Sequence, residues 1–277
     1  MVERTGKDPR FSPRRCASLL LAVLLLLCVA FAQGARFTEL TQNQQSKGGT
    51  VVDVGHADDG YIQVRHRAGK KRIKVRVSCG GETYTYDLNQ NGEFEVFPLQ
   101  MGSGTYKVTV YEQVKGTQYQ SLSTISFKAN IADEFSPYLY PNQYAWYDAD
   151  SQAVAQAEAL CAGLTTDGQK VDAVHSFVIS RFMYDYIKAM TVKSNTTYLP
   201  DVDSTLSEKK GICFDFAALM CCMLRSQGIP TQLVIGYADS CYHAWNRVYV
   251  DGQWRLIDTT SEITSLVVRQ YTPERRY

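Results

Sequence analysis

Three short runs decide how this chain is read: K-G-I-C-F-D-F-A-A-L-M at residues 210–220, H-A-W at 243–245 and W-R-L-I-D-T-T at 254–260. Cys213 stands at the start of a helix-like apolar segment, His243 at the start of a strand-like run and Asp258 at the end of the next. A thiol, an imidazole and a carboxylate are the residue types of a nucleophile, its base and the group that orients that base. The remaining sequence is a test of whether these three meet.

Cys213, Phe216, Ala217, Met220 and Leu224 recur at helical spacing, and Gly228-Ile229-Pro230 closes the segment with glycine past the last turn and proline beyond it. Cys213 therefore falls in the first helical turn, where unpaired backbone N–H groups and the helix dipole favour a thiolate, the nucleophilic form. Gly211 permits a close approach by the chain or by a substrate. A lone cysteine on an apolar face is ordinarily a buried structural residue; here its company argues otherwise.

That company is a hairpin. T-Q-L-V-I-G-Y at 231–237 and the run 242–250 read as strands, and Asp251-Gly252 is a two-residue turn into 253–258. If Val250 opposes Gln253, then Trp245 faces Asp258 and His243 faces Thr260. His243 and Asp258 become diagonal neighbours on one face, about 7–8 Å apart at the backbone and closer at the side-chain tips. A one-residue slip would place them on opposite faces. The register thus predicts a His–Asp pair.

The run 209–237, together with H-A-W-N-R-V-Y-V-D-G-Q-W-R-L-I-D-T-T at 243–260, resembles the transglutaminase-like superfamily of papain-like fold over residues 149–261. The resemblance implies an acyl-transfer chemistry in which Cys213 is the nucleophile, His243 the general base and acid, and Asp258 the orienting acid. The family includes peptidases, protein-crosslinking transglutaminases and amidases, so it specifies chemistry more firmly than substrate. The Cys213 backbone N–H is the expected oxyanion donor; a second donor has no counterpart in the sequence. Asp215 fits a common family position, with capping and structural support as equal alternatives. Tyr186 and Trp245 are candidates for the cleft wall or for aromatic core.

Working outward, 188–209 reads as a loop that could border a cleft. Residues 153–164 form an alanine-rich helical segment, and 169–186 a second helix, with Val171, Val174, Val178 and Phe182 on one stripe, Asp167 as N-cap and His175 off the stripe. The Pro-punctuated aromatic stretch 129–150 is expected to pack between two halves of the chain.

Before it, seven short runs between residues 51 and 127 alternate at period two, separated by Asp58-Asp59-Gly60, Gly80-Gly81, Asn91-Gly92 and Gly102-Ser103-Gly104. They predict a small β-sandwich, and the stretch 91–111 looks like the late strands of Ig-like bacterial surface modules. His56 and His66 lack partners in the pattern and are expected to be solvated. The fold class is thus α+β, an N-terminal all-β sandwich followed by a papain-like, transglutaminase-like α+β domain. The domains are 33–49 linker, 50–130 β-sandwich and 131–277 catalytic.

At the N-terminus, Arg4, Lys7, Arg10, Arg14 and Arg15 precede an uncharged apolar run at 16–32, and Ala30-Phe31-Ala32 before Gln33 fits signal-peptidase cleavage. A signal peptide at 1–32 implies a secreted or cell-surface protein; an uncleaved anchor is the alternative. Leu27 before Cys28 is too bulky for lipoprotein processing. Cys16 and Cys28 fall within that segment, and the six other cysteines, Cys79, Cys161, Cys213, Cys221, Cys222 and Cys241, are too sparse for a disulfide framework and contain no C-x-x-C. Cys161, Cys221 and Cys222 read as small apolar helix residues, and neither metal nor cofactor is expected. With 29 basic against 28 acidic residues, no net field draws the chain to nucleic acid or anionic lipid. The expected partner is a protein or peptide substrate, a cell-envelope component among the candidates, with membrane contact only through an uncleaved N-terminal segment. The competing class is a non-catalytic envelope scaffold.

Overall fold

The structure, a computed structural model, describes residues 36–193, 195 and 197–277, so the expected signal peptide at 1–32 lies outside the described residues. Among the described residues no helix is long and apolar enough to cross a membrane. Ala35–Tyr277 form one compact unit.

All seven anticipated strands of the first half are present: β2 (Thr50–Asp53), β3 (Tyr61–His66), β4 (Ile73–Cys79), β5 (Glu82–Leu88), β6 (Glu95–Pro98), β7 (Gly104–Lys115) and β8 (Gln118–Ala129). With β1 (Gln44–Lys47) they make two four-stranded antiparallel sheets, ordered β1-β2-β3-β6 and β5-β4-β7-β8. The alternation that predicts them is the alternation that is buried: Val75 and Val77 of β4 and Tyr106 and Val108 of β7 point inward, Arg76 and Lys107 outward. One correction concerns the expected linker at 33–49. Its residues Gln44–Lys47 form β1, which pairs antiparallel with β2. A polar segment with nothing to bury can still be a strand when an edge supplies its backbone partners. A second correction concerns His66, which is buried, its Nδ1 2.9 Å from the Thr50 hydroxyl, which lies 2.7 Å from that of Ser123. His56 is also less solvated than expected: it is only partly exposed, with Nδ1 2.8 Å from Asp59 and its ring stacked on that of Tyr61 at 4.9 Å.

In the second half come α1 (Gln152–Cys161), α2 (Asp167–Arg181), β9 (Met183–Tyr184), α3 (Tyr186–Val192), α4 (Val202–Glu208), β10 (Lys210–Gly211), α5 (Cys213–Arg225), β11 (Thr231–Ala238), β12 (Cys241–Val250), β13 (Gln253–Ile257), α6 (Thr259–Thr264) and β14 (Tyr271–Arg276). Helix α2 stops at Arg181 rather than near 186, because Phe182 and Met183 turn extended so that Met183–Tyr184 can pair in parallel with Lys210–Gly211. Its N-cap is Thr166, not Asp167: the Thr166 hydroxyl and the Gln169 side chain form a reciprocal capping box. The expected loop at 188–209 contains two short helices, α3 and α4, each started by an aspartate cap, Asp185 and Asp201.

Helix α5 is buried from Asp215 to Arg225 on every side, the mark of a central helix rather than of a one-faced surface helix. It packs against the sheet β13-β12-β11-β14. At its C-terminal end the Arg225 guanidinium, fully enclosed, donates to the carbonyls of Thr231, Tyr140 and Tyr277 at 2.6 to 2.8 Å. The stretch 129–150 packs where expected: Phe135 lies on Tyr249 at 4.2 Å, Tyr138 on Trp254 at 5.7 Å, and Tyr144 on Tyr86 at 5.8 Å and on Tyr277 at 4.4 Å.

Candidate active site

The start of α5 is fixed by its third residue. Ile212 precedes the helix in extended conformation and offers no capping side chain. Asp215, wholly buried, accepts the Ile212 N–H at 2.9 Å, pairs with Lys188 of α3 at 2.7 Å and receives the Tyr198 hydroxyl. It is both cap and structural support. The close approach that Gly211 allows is to this helix: a Cβ there would stand 2.9 Å from the Asp215 Cβ and 3.1 Å from the Phe216 ring. Cys213, first in the helix and partly exposed, keeps a backbone N–H without an intrahelical acceptor.

The hairpin register is the expected one up to Ile257, but the expected pairs of Trp245 with Asp258 and His243 with Thr260 do not form, because the chain turns into a helix there. Val250 pairs with Gln253 and the ladder runs to Asn246 opposite Ile257, with Asp251 and Gly252 both at positive φ in the turn. Asp258 is the next residue. It leaves the strand to cap α6, accepting the N–H groups of Thr260 and Ser261 on Oδ1, both at 3.1 Å. That turns Oδ2 towards His243, whose Nε2 donates to it at 2.9 Å. The Tyr271 hydroxyl donates to the same oxygen at 2.8 Å.

Nε2 is committed to Asp258, and Cys213 is near enough to His243 to raise its pKa as well. Trp245 is buried, not a cleft wall; its ring stacks at 6.2 Å from that of His243 and meets Tyr271 at 5.1 Å. Burial opposes a charge on His243, but the hydrogen bonds and negative charges of Asp258 and Cys213 outweigh it and hold its pKa up, at about 10. Burial would raise Asp258, yet His243, the Tyr271 hydroxyl and the Ser261 N–H bring it below the ordinary carboxylate value.

Tyr271 was not legible in the sequence as part of this group. It lies on β14, thirteen residues beyond Asp258, and reaches the carboxylate because β14 pairs with β11, not through any local pattern. Tyr186, exposed, stands beside Tyr184 with ring centroids 4.9 Å apart. Among the described residues the other cysteines differ from Cys213 in exposure: Cys79, Cys161, Cys221 and Cys222 are buried and Cys241 is exposed, all as free thiols. Burial pushes the Cys221 thiol up to about 11. A cavity of about 460 Å³ bounded by Trp146, Asp148, Asp150 and Asp203 is lined by no thiol or imidazole.

Residues 154–259 match the model of the Transglutaminase-like superfamily. The chain is 28% identical over 121 residues to the human (Homo sapiens) kyphoscoliosis peptidase, a match covering 39% of this chain and 18% of that protein. Among solved structures it resembles a TGase at 24% identity, TM-score 0.34, over 43% of this chain and 32% of that one. It also resembles the periplasmic domain of TgpA from Pseudomonas aeruginosa at 15% identity, TM-score 0.37, over 80% and 76% of the two chains.

Proposed function

We propose, on the premise that residues 154–259 are a transglutaminase-like region, that this chain is an exported cysteine enzyme that hydrolyses peptide or glutamine amides through Cys213, His243 and Asp258. The observation that carries the proposal is the position of His243, hydrogen-bonded through Nε2 to Asp258 and raised in pKa by the neighbouring Cys213. Export rests on the charged, apolar and small-residue pattern of residues 4–33.

The Cys213 sulfur attacks the amide carbonyl as thiolate, and the oxyanion that forms is met by the backbone N–H of Cys213 at the helix start. His243, held protonated by Asp258, gives its proton to the departing amine. The C–N bond breaks, leaving a thioester. Water then adds to the thioester while His243 takes its proton, the C–S bond breaks, and the acid departs. Cys213 opens to solvent on one side, so water is the acceptor always at hand.

A scaffold has no need of a carboxylate with four donors that holds an imidazole against a partly exposed thiol. Incubation with a glutamine-containing protein and a labelled primary amine tests the proposal. New termini or released ammonia without amine incorporation, both lost in Cys213→Ala, are expected. Dominant amine incorporation would replace hydrolysis by crosslinking, and no reaction with any acceptor would leave the scaffold.

A further inference from the structure

Two tyrosine pairs from different parts of the fold border Cys213. Tyr184 lies on β9 opposite Gly211, two residues before the thiol, and its ring meets that of Tyr186. Tyr242 directly precedes His243 and faces Tyr237 across the β11–β12 ladder, with ring centroids 5.6 Å apart. Burial raises the hydroxyls of Tyr184 and Tyr242, and a charge on Cys213 raises both further, so both sit within its field.

Such rings are ordinarily covered, yet Tyr186 is 67% and Tyr242 65% exposed. The exposure continues along α3, where Ile187 is 69% and Met190 71% exposed and no residue is buried. At 100° per residue, Tyr186, Ile187 and Met190 lie within one arc of about 100°. Lys188 points away from that arc, to Asp215. Beside the first pair Lys188 is matched with Asp215 and Lys210 with Asp185, and beside Tyr242 stand one acid and one base, Glu274 and Arg275. The border therefore offers ring faces, an aliphatic chain and a thioether, continuous with the nucleophile and without net charge.

We infer that this border seats the acyl donor: the substrate is an extended peptide segment whose residues flanking the attacked amide are aromatic or aliphatic, gripped by Tyr184, Tyr186, Tyr237 and Tyr242 with α3 extending the grip. This rests on Cys213 being the nucleophile. Enclosing one such side chain confers about a tenfold preference or more over a polar one.

The test separates binding from chemistry. In the full chain carrying Cys16→Ser, Cys28→Ser and Cys241→Ser, the rate of Cys213 alkylation by iodoacetamide is measured with a blocked pentapeptide of central glutamine flanked by phenylalanine and leucine, and with its serine- and glycine-flanked counterpart. The apolar peptide should protect at about tenfold lower concentration. Tyr186→Ala and Tyr242→Ala should each erase most of that difference relative to their own unprotected rates, while Tyr186→Phe and Tyr242→Phe keep it. Equal protection by both peptides, or a preference that survives both alanine variants, overturns the inference. So does a stable dimer dispersed by Tyr186→Ala and blind to peptide, since the border would then be an interface between copies. Selective protection without amide turnover would sink the hydrolase proposal and leave this surface standing. Turnover of both peptides at equal kcat/KM would do the reverse.

Discussion

Burial by itself would strip the proton from His243, and Asp258 and Cys213 reverse that. The consequence is a pH profile unlike that of a free imidazole. Because its folded pKa is raised, the stability His243 contributes is full below about 6.5, its unfolded value, and is lost as pH rises towards about 10. The leaving amine needs the same proton, so the alkaline limb of kcat should fall near pH 10 rather than in the range of an ordinary histidine. Asp258→Asn removes the charge that supports the imidazolium. It should move that limb down by about 1–3 pH units and lower kcat by about a hundredfold or more. Tyr271→Phe, which leaves His243 and the α6 N–H groups on Asp258, should move the limb less. A profile unchanged in Asp258→Asn would show that the pair does not set the proton's affinity.

At the scale of elements, the position of Tyr271 depends on how closely β14 lies against β11. Gly236 is where they come nearest: a Cβ there would collide with the Thr272 carbonyl oxygen and stand 2.9 Å from the Glu274 nitrogen and the Pro273 Cα. All are backbone atoms, so no side-chain rotation relieves the clash, and the ladder already shifts register between Ile235 and Gly236. Gly236→Ala should therefore displace β14, destabilise the fold by about 1–3 kcal/mol and carry Tyr271 off Asp258. Urea denaturation and kcat together check this. The variant should lose at least as much kcat as Tyr271→Phe; unchanged stability and rate would mean that β14 moves without consequence. Helix α1 teaches the same lesson about partners from afar. Its first N–H groups, on Gln152 and Ala153, are taken by Asp203 of α4 at 3.0 and 2.9 Å, not by Ser151 before it.

At the scale of the molecule, the aromatic stretch 129–150 and the buried Arg225 join the two halves. Arg225 reaches Tyr140 on one side and Thr231 and Tyr277 on the other, and Tyr277 in turn packs on Tyr84 and Tyr86 of the sandwich. Arg225→Met would leave these carbonyls buried and unpaired, at a cost of about 3 kcal/mol. The halves should also unfold together. All three tryptophans, Trp146, Trp245 and Trp254, lie in the second half, so their fluorescence reports that half while far-UV circular dichroism reports both. Coincident urea midpoints are expected, both shifted down by Arg225→Met. Two separated transitions would show independent domains.

The sequence alone determined whatever follows from local period and turn chemistry. Seven strands of the sandwich read from their alternation, α5 from its apolar spacing and closing Gly228, and the pairing of His243 with Asp258 from one Asp251-Gly252 turn. A two-residue turn sets the register along the ladder to Asn246 opposite Ile257, which brings Asp258 beside the strand that bears His243, although the helix cap at Asp258 then aims its carboxylate. Tertiary structure decided the rest. Strand β1 exists because β2 offers an edge, and His66 is buried because a second sheet covers it. Asp215 finds Lys188 and Tyr198, and Asp258 finds Tyr271, only when separate elements are brought together. These contacts lie across surfaces whose packing no run of neighbouring residues encodes. The identities of the reacting groups were thus legible in the chain, whereas the charges, hydrogen bonds and aromatic walls around them come from elements distant in sequence.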